Sequence, residues 1–126
     1  MGQKKVMDEG DLHFLGIKVV YKDLVDKGYE VLNVRREENV DPQILARFNG
    51  KFLFVVVRTA AFPDMGVLTP GLAARVRTHA RKHQADCYFA SVGIANATGD
   101  NDEEMALPVV DGEYFINYKG LQPFPD

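Results

Sequence analysis

The pattern of apolar and polar positions predicts three strands near the middle of the chain. Residues 29–34 are rich in β-forming side chains, residues 44–48 form a short, mostly apolar run, and residues 51–57 form a nearly continuous apolar run. Between the last two runs, Asn49-Gly50 supplies the pair of positive-φ residues that a two-residue hairpin turn requires. We therefore expect the second and third strands to pair antiparallel.

Two helices are predicted, one on each side of these strands. Asp11 is a suitable N-cap for the first helix, whose pattern runs to about Lys27 and is followed by a glycine. Thr69 is a suitable N-cap for the second helix, Pro70 fits its first position, and its pattern continues to about Gln84. Each helix carries one apolar stripe, so we expect both to pack on a sheet.

The C-terminal third of the chain predicts one more buried strand and a closing hairpin. Residues 87–95 form an apolar run typical of a strand that is buried on both faces. Because the second helix lies between this strand and the third, we expect these two strands to pair in parallel. The closing hairpin spans residues 105–118, with strands at 107–110 and 114–118 and a turn at Asp111-Gly112. The other segments are predicted to lack regular structure: residues 1–10, the acidic residues 96–104 and the proline-containing residues 120–126.

Length and composition predict a single domain of the α/β (α+β) class with a mixed sheet. The chain has 126 residues, a common size for one domain. Its one cysteine, Cys87, cannot form an internal disulfide, and no apolar run approaches the ~20 residues of a membrane helix. We therefore expect a cytoplasmic protein without a membrane partner. The formal net charge of −3 argues against tight binding of nucleic acid by the surface as a whole.

Three short motifs in the central strands carry a family resemblance. Gly28-Tyr29-Glu30 leads into the first strand, Pro42-Gln43 opens the second, and Val56-Val57-Arg58 lies on the third. In this order and spacing they resemble the core of the PD-(D/E)xK, or restriction-endonuclease-like, nuclease superfamily, especially its small resolvase-like members. The resemblance implies an α-β-β-β-α-β core over residues 11–95, to which the C-terminal hairpin is an addition.

The residues that this resemblance would place in a metal site are replaced. The family holds Mg²⁺ with carboxylates, because a hard cation prefers oxygen ligands. Here Gln43 stands at the Asp position, Val56 at the Glu position and Arg58 at the Lys position, while Ile17 replaces a helix glutamate. Val56 cannot bind a metal, and Arg58 stays protonated and cannot act as a base. We therefore expect a nuclease-like scaffold that has no catalytic activity and no cofactor.

A migrated metal site is the alternative interpretation. Asp41 lies two positions before Gln43, and Glu30 lies on the first strand. With Arg58 steadying the phosphate, these two carboxylates would make a nuclease that depends on Mg²⁺ or Mn²⁺. The competing interpretation is that Asp41-Pro42 only starts a strand and that Glu30 is solvated. The alternative predicts metal-dependent cleavage that Asp41→Ala abolishes.

The solvent face of the second helix carries cations and no acid. Its members are Arg75, Arg77, His79, Arg81, Lys82 and His83. Charged helix faces are usually only solvated, but this one predicts an anion-binding surface whose partner is nucleic acid or an acidic protein.

The spacing of His79 and His83 resembles that of a zinc site, but we expect no metal there. Ala80 stands where the general-base glutamate of a HExxH motif would stand, and only His13 and Cys87 remain as distant third ligands. The acidic residues 100–104 leave open a homodimer in which they contact the basic helix of a second copy.

Overall fold

A computed structural model describes residues 5–125 and shows an α+β fold with one mixed, open sheet. In chain order its elements are α1 (Glu9–Asp26), β1 (Glu30–Val34), β2 (Ile44–Phe48), β3 (Lys51–Ala61), α2 (Pro70–Lys82), β4 (Ala85–Asn96), α3 (Asp102–Met105), β5 (Tyr114–Tyr118) and β6 (Gln122–Pro123). The strand order is β1-β2-β3-β4-β5, and β6 pairs with β4 beside β5. None of the helices within this part of the chain is both long enough and apolar enough to cross a membrane.

The pairing of the central strands confirms two predictions. Asn49 and Gly50 have φ values of 52° and 78°, and they join β2 to β3 in an antiparallel hairpin. The α2 crossover joins β3 to β4, which pair in parallel from Phe52↔Ala85 to Ala61↔Ile94. Both strands are longer than predicted, because their polar and small terminal residues continue this ladder beyond the apolar runs.

The first helix begins earlier than predicted. Asp8, not Asp11, is its N-cap, and Asp11 occupies the third helical position of a capping box. The Asp11 N–H donates to Asp8 Oδ1 at 2.8 Å, and the Asp8 N–H donates to Asp11 Oδ2 at 3.1 Å. Val6 also bridges to Val109. The prediction that residues 1–10 are loose is therefore wrong from Val6 onward, and residues 1–4 lie outside the described part.

The predicted closing hairpin is wrong in its pairing. The turn exists, since the Gly112 N–H donates to the Val109 carbonyl at 3.1 Å. However, Val109 bridges to Val6, and β5 pairs antiparallel with the edge of β4. β5 therefore extends the main sheet, where hydrogen bonds to β4 satisfy its backbone N–H and C=O groups. Two segments predicted as irregular also contain short elements, namely α3 in the acidic loop and β6 in the tail.

The two faces of the sheet are covered unequally. On one face α1 packs Ile17, Val20 and Leu24 against the apolar side chains of β2, β3 and β4. On the other face α2 packs through a smaller set that includes Leu72 and Val76, against β3 and β4. Consequently the part of this face formed by β1, β2 and the start of β3 is left open beside α2. The candidate functional site lies there.

Candidate functional site

The side chain of Gln43 is fully buried and engaged in internal hydrogen bonds. Its Nε2 donates to the Val40 carbonyl and to Asp41 Oδ1, both at 2.8 Å. Its Oε1 accepts from the Val57 N–H at 2.7 Å. A carboxylate at this position would accept the bond from Val57 but could donate none to Val40 or Asp41. The local structure therefore requires an amide here, and this amide is not available to a ligand.

Asp41 and Arg58 form a bidentate ion pair beside Gln43. Arg58 Nη1 lies 2.9 Å from Asp41 Oδ1, and Nη2 lies 3.1 Å from Oδ2. The side chain of Asp41 is only 15% exposed and that of Arg58 only 25%, so solvent screens the pair weakly. Burial alone would raise the pKa of Asp41, but the hydrogen bonds from Arg58 and Gln43 and the charge of Arg58 hold that pKa below its ordinary value. Asp41 is therefore ionised and already paired.

The structure does not bring together the two carboxylates of the migrated metal site. Glu30 lies at the start of β1, where its Oε2 accepts from Arg47 Nη2 at 2.6 Å. Glu30 pairs with Arg47 near the end of β2, whereas Asp41 precedes the start of β2 at Ile44, so the two carboxylates lie toward opposite ends of this strand. Val56 and Ile17 are buried core residues. No cluster of three or more potential metal ligands occurs among the residues that the structure describes.

His13 is a buried histidine near the Asp41–Arg58 pair. It is 7% exposed, and within residues 5–125 its Nε2 has no hydrogen-bond partner. Desolvation and the charge of Arg58 lower its pKa, against the opposing effects of the Glu37 backbone and of Glu38 and Asp41. The imidazole is therefore neutral at pH 7. Sequence reasoning considered His13 only as a distant zinc ligand, yet the charges of Arg58 and Asp41 act on it, so it lies near that ion pair.

The cations of α2 do not form one surface, because they lie on opposite sides of the helix, along the two flanks of the buried apolar stripe. Arg75, His79 and His83 lie on the side of β1 and β2, where they line depressions in the open part of the sheet. Arg77 lies on the other side, where its Nη2 donates to the Pro125 carbonyl and its guanidinium lies 5.8 Å from the Phe124 ring.

The far side of α2 also carries Arg81, and it adjoins the lone cysteine. Burial raises the pKa of the Cys87 thiol although the charges of Arg77 and Arg81 oppose the shift. Cys87 therefore remains a thiol at neutral pH. Lys82 is exposed at the end of the helix.

A cleft of about 360 Å³ lies between α2 and the open part of the sheet. Its floor is apolar and includes Leu45, Phe52 and Phe54, and its rim is polar and includes Asn33, Arg35 and the two histidines. The His79 and His83 rings are 4.8 Å apart and lie 5.3 Å and 5.9 Å from the Phe54 ring. The histidines therefore pack against Phe54 with tilted rings and form one wall of the cleft.

A second depression of about 280 Å³ adjoins this cleft and shares His79 with it. It is lined by Asp41, Arg75 and Asn39, among others. The cleft and the depression together are called the α2 groove below. Within residues 5–125 neither Arg35 nor Arg75 forms a salt bridge, whereas Asp41 is already paired with Arg58. The groove therefore presents two uncompensated guanidinium groups.

Sequence reasoning identified only part of this groove. It selected Arg75, His79 and His83 but placed them together with Arg77 and Arg81. The helical period of about 3.6 residues would have separated the two sets. It missed Asn33, Arg35, Phe52 and Phe54. The sequence does show that Phe52 and Phe54 share one face of β3, but it does not show that α2 leaves the sheet uncovered at that point.

Comparison with known proteins places the chain in one family. Residues 10–124 match the model of a domain of unknown function, DUF8840, so the chain belongs to this family. A search of curated proteins finds no match.

Proposed function

We propose that this chain is a non-catalytic nucleic-acid-binding module with a restriction-endonuclease-like core, and that it binds through the α2 groove. The observation that carries the proposal is the contrast between two neighbouring regions. Asp41, Gln43 and Arg58 are hydrogen-bonded to one another, whereas Arg35 and Arg75 line the groove and form no salt bridge with any residue from 5 to 125.

The topology supports the fold part of the proposal. A helix, three antiparallel strands, a crossover helix and a parallel strand follow in the order that the resemblance implies. Gln43, directly before β2, and Arg58, on β3, both contact Asp41, at the place where the resemblance implies the metal site. A scaffold of that kind with these two replacements is what a non-catalytic member would contain.

The hydrogen bonds among Asp41, Gln43 and Arg58 support the proposed absence of catalysis. Metal-assisted hydrolysis of a phosphodiester needs carboxylate oxygens that can bind the cation. Here both oxygens of Asp41 accept hydrogen bonds from Arg58, and one also accepts from Gln43. The guanidinium already supplies the positive charge that a metal would supply. Nuclease activity would require this pair to be broken first.

The charge distribution limits the mode of binding. The net charge of −3 opposes a broad contact with a duplex, so binding must depend on the few cations of the groove. Two or three phosphate contacts give a slope of only about −2 in a plot of log affinity against log salt for a single strand. Weak, local binding of single strands is the expected behaviour, and an acidic protein is the competing partner.

Fluorescence anisotropy with labelled oligonucleotides over a salt series tests the proposal. We expect single strands to bind, and Arg35→Glu with Arg75→Glu to weaken this binding at least tenfold. The matched control is Lys22→Glu with Lys119→Glu, which reverses the same number of charges at exposed positions away from the groove. Absence of oligonucleotide binding at low salt would overturn the proposal, and binding of polyglutamate alone would assign the acidic-protein partner.

Incubation of the same oligonucleotides with Mg²⁺ or Mn²⁺ tests the absence of catalysis. We expect no cleavage, because the carboxylate of Asp41 is held by Arg58. Metal-dependent cleavage that Asp41→Ala abolishes would establish the enzymatic alternative instead.

A further inference from the structure

We propose that the α2 groove is a single-nucleotide site, in which the cleft takes one unpaired base and the guanidinium groups take its phosphate. This inference rests on the proposed function but goes beyond it, since it specifies the unit that is bound and excludes the paired bases of a duplex. It depends on three features of the groove, namely its size, the chemistry of its floor and the position of its cations.

The size of the cleft fits one planar ring system. Small-molecule sites in proteins have volumes of roughly 300–1,000 Å³, and the cleft of about 360 Å³ is at the lower end of this range. A duplex presents its bases only at their edges, because their faces are stacked on one another. A base that enters a cleft of this kind must therefore come from a single strand, a loop or an end.

The floor of the cleft offers an aromatic surface for stacking. Phe54 is 5% exposed beneath the two histidines, whereas Phe52 is 38% exposed and has a free part of its ring. Stacking of a base on such a ring is tolerant of sequence, since every base has a π face. Phe52 is therefore the stacking residue in this proposal, and Leu45 completes an apolar floor.

A β-bulge supplies a polar group at the rim of the same cleft. The register of β1 shifts between Val31 and Asn33, so that Asn33 lies opposite Leu45 and faces the α2 side. Without the bulge, the alternation of the strand would place Asn33 on the same face as Val31, which packs against the α1 core. The bulge thus brings an amide, which both donates and accepts, to the edge of the apolar floor.

The cations lie where a phosphate attached to that base would extend. Arg35 lines the cleft and Arg75 lines the adjoining depression, with His79 in both. The carboxylate of Asp41 is the acid in this part of the groove, and its charge is offset by Arg58. An anion is therefore attracted to this end and not repelled from it.

Titration of the ¹⁵N-labelled protein with AMP and with UMP, followed by NMR, tests the site. We expect both nucleotides to shift the amide signals of Asn33, Arg35 and His79, and to bind at least tenfold more tightly than adenosine or ribose 5-phosphate. Stacking on one aromatic ring is worth about a tenfold change in affinity, so Phe52→Ala should lose about that factor. The matched control is Phe115→Ala, which removes a ring that is 60% exposed on β5.

The outcomes separate this inference from the proposed function. If oligonucleotides bind but AMP and UMP leave the groove signals unchanged, and Phe52→Ala has no effect, the nucleotide site is refuted and the binding module stands. If the mononucleotides bind in the groove and oligonucleotides do not bind at all, the nucleotide site stands and the nucleic-acid function fails. If neither binds, both are refuted.

Discussion

Replacement of Gln43 by leucine tests whether the buried hydrogen-bond cluster fastens the start of β2 to β3. The change keeps a similar side-chain volume but leaves the buried N–H of Val57 without its acceptor. A buried N–H without an acceptor costs about 1–3 kcal/mol, and the loss of the hydrogen bonds to Val40 and Asp41 adds about 1 kcal/mol. The better burial of leucine offsets about 1 kcal/mol of this loss, so we expect the free energy of unfolding to fall by about 2 kcal/mol. The midpoint of thermal unfolding should fall by roughly 7 °C.

Urea denaturation followed by circular dichroism measures this loss. The matched control is Gln122→Leu, because Gln122 is exposed on β6 and its replacement should change stability by no more than about 0.5 kcal/mol. A loss of less than about 1 kcal/mol for Gln43→Leu would refute the reasoning, since it would mean that the Val57 amide readily finds another partner.

Gln43→Glu provides a second measurement with a characteristic pH dependence. The introduced carboxylate would lie buried beside Asp41, so its pKa in the folded protein would exceed its pKa in the unfolded chain. A raised folded-state pKa favours the folded protein when the group is protonated. The stability of this variant relative to that of the wild type should therefore increase as the pH falls from 7 toward 5. A difference in stability between the two proteins that does not change over this range would contradict the close contact between the two side chains.

Two further predictions concern α1. The pKa of His13 is lowered by folding, so the stability that depends on its neutral form is present above about pH 6.5 and is lost as the pH falls further. A plot of unfolding free energy against pH from 7.5 to 5 should therefore have a smaller slope in His13→Leu than in the wild type. Gly16→Ala should lower the unfolding free energy by about 1–2 kcal/mol despite the better helix propensity of alanine, because its Cβ would lie 1.7 Å from Thr59 Oγ1. In Gly71→Ala, where a Cβ would meet nothing within 4 Å, no loss is expected, and equal effects of the two changes would contradict this packing.

Local signals in the sequence predicted much of the fold. The hairpin at Asn49-Gly50 and the start of α2 at Thr69 and Pro70 are fixed by the conformational preferences of a few adjacent residues, and both occur as predicted. The start of α1 was wrong because two aspartates of one capping box compete for the same role. The partner of β5 was wrong because its pairing with β4 depends on residues that are distant in the chain.

The candidate site was less predictable than the fold. The sequence singled out Gln43 and Arg58 only through a family resemblance, whereas their contacts with Asp41 and Val57 are visible only in three dimensions. The amide of Gln43 donates hydrogen bonds that a carboxylate could not, and the planar guanidinium of Arg58 makes a bidentate pair that a lysine could not. The openness of the groove depends on which strands α2 covers, and no short segment of sequence encodes that.

The parallel pairing of β3 and β4 has a consequence for the kinetics of folding. The hairpin of β2 and β3 joins neighbouring residues and can form within microseconds, whereas β4 can join only after the α2 crossover has brought distant residues together. Until then the apolar edge of β3 is unpaired and can associate with the same edge of another chain. We therefore expect refolding yields to fall as the protein concentration rises, even though the folded sheet covers that edge completely along the length of β4.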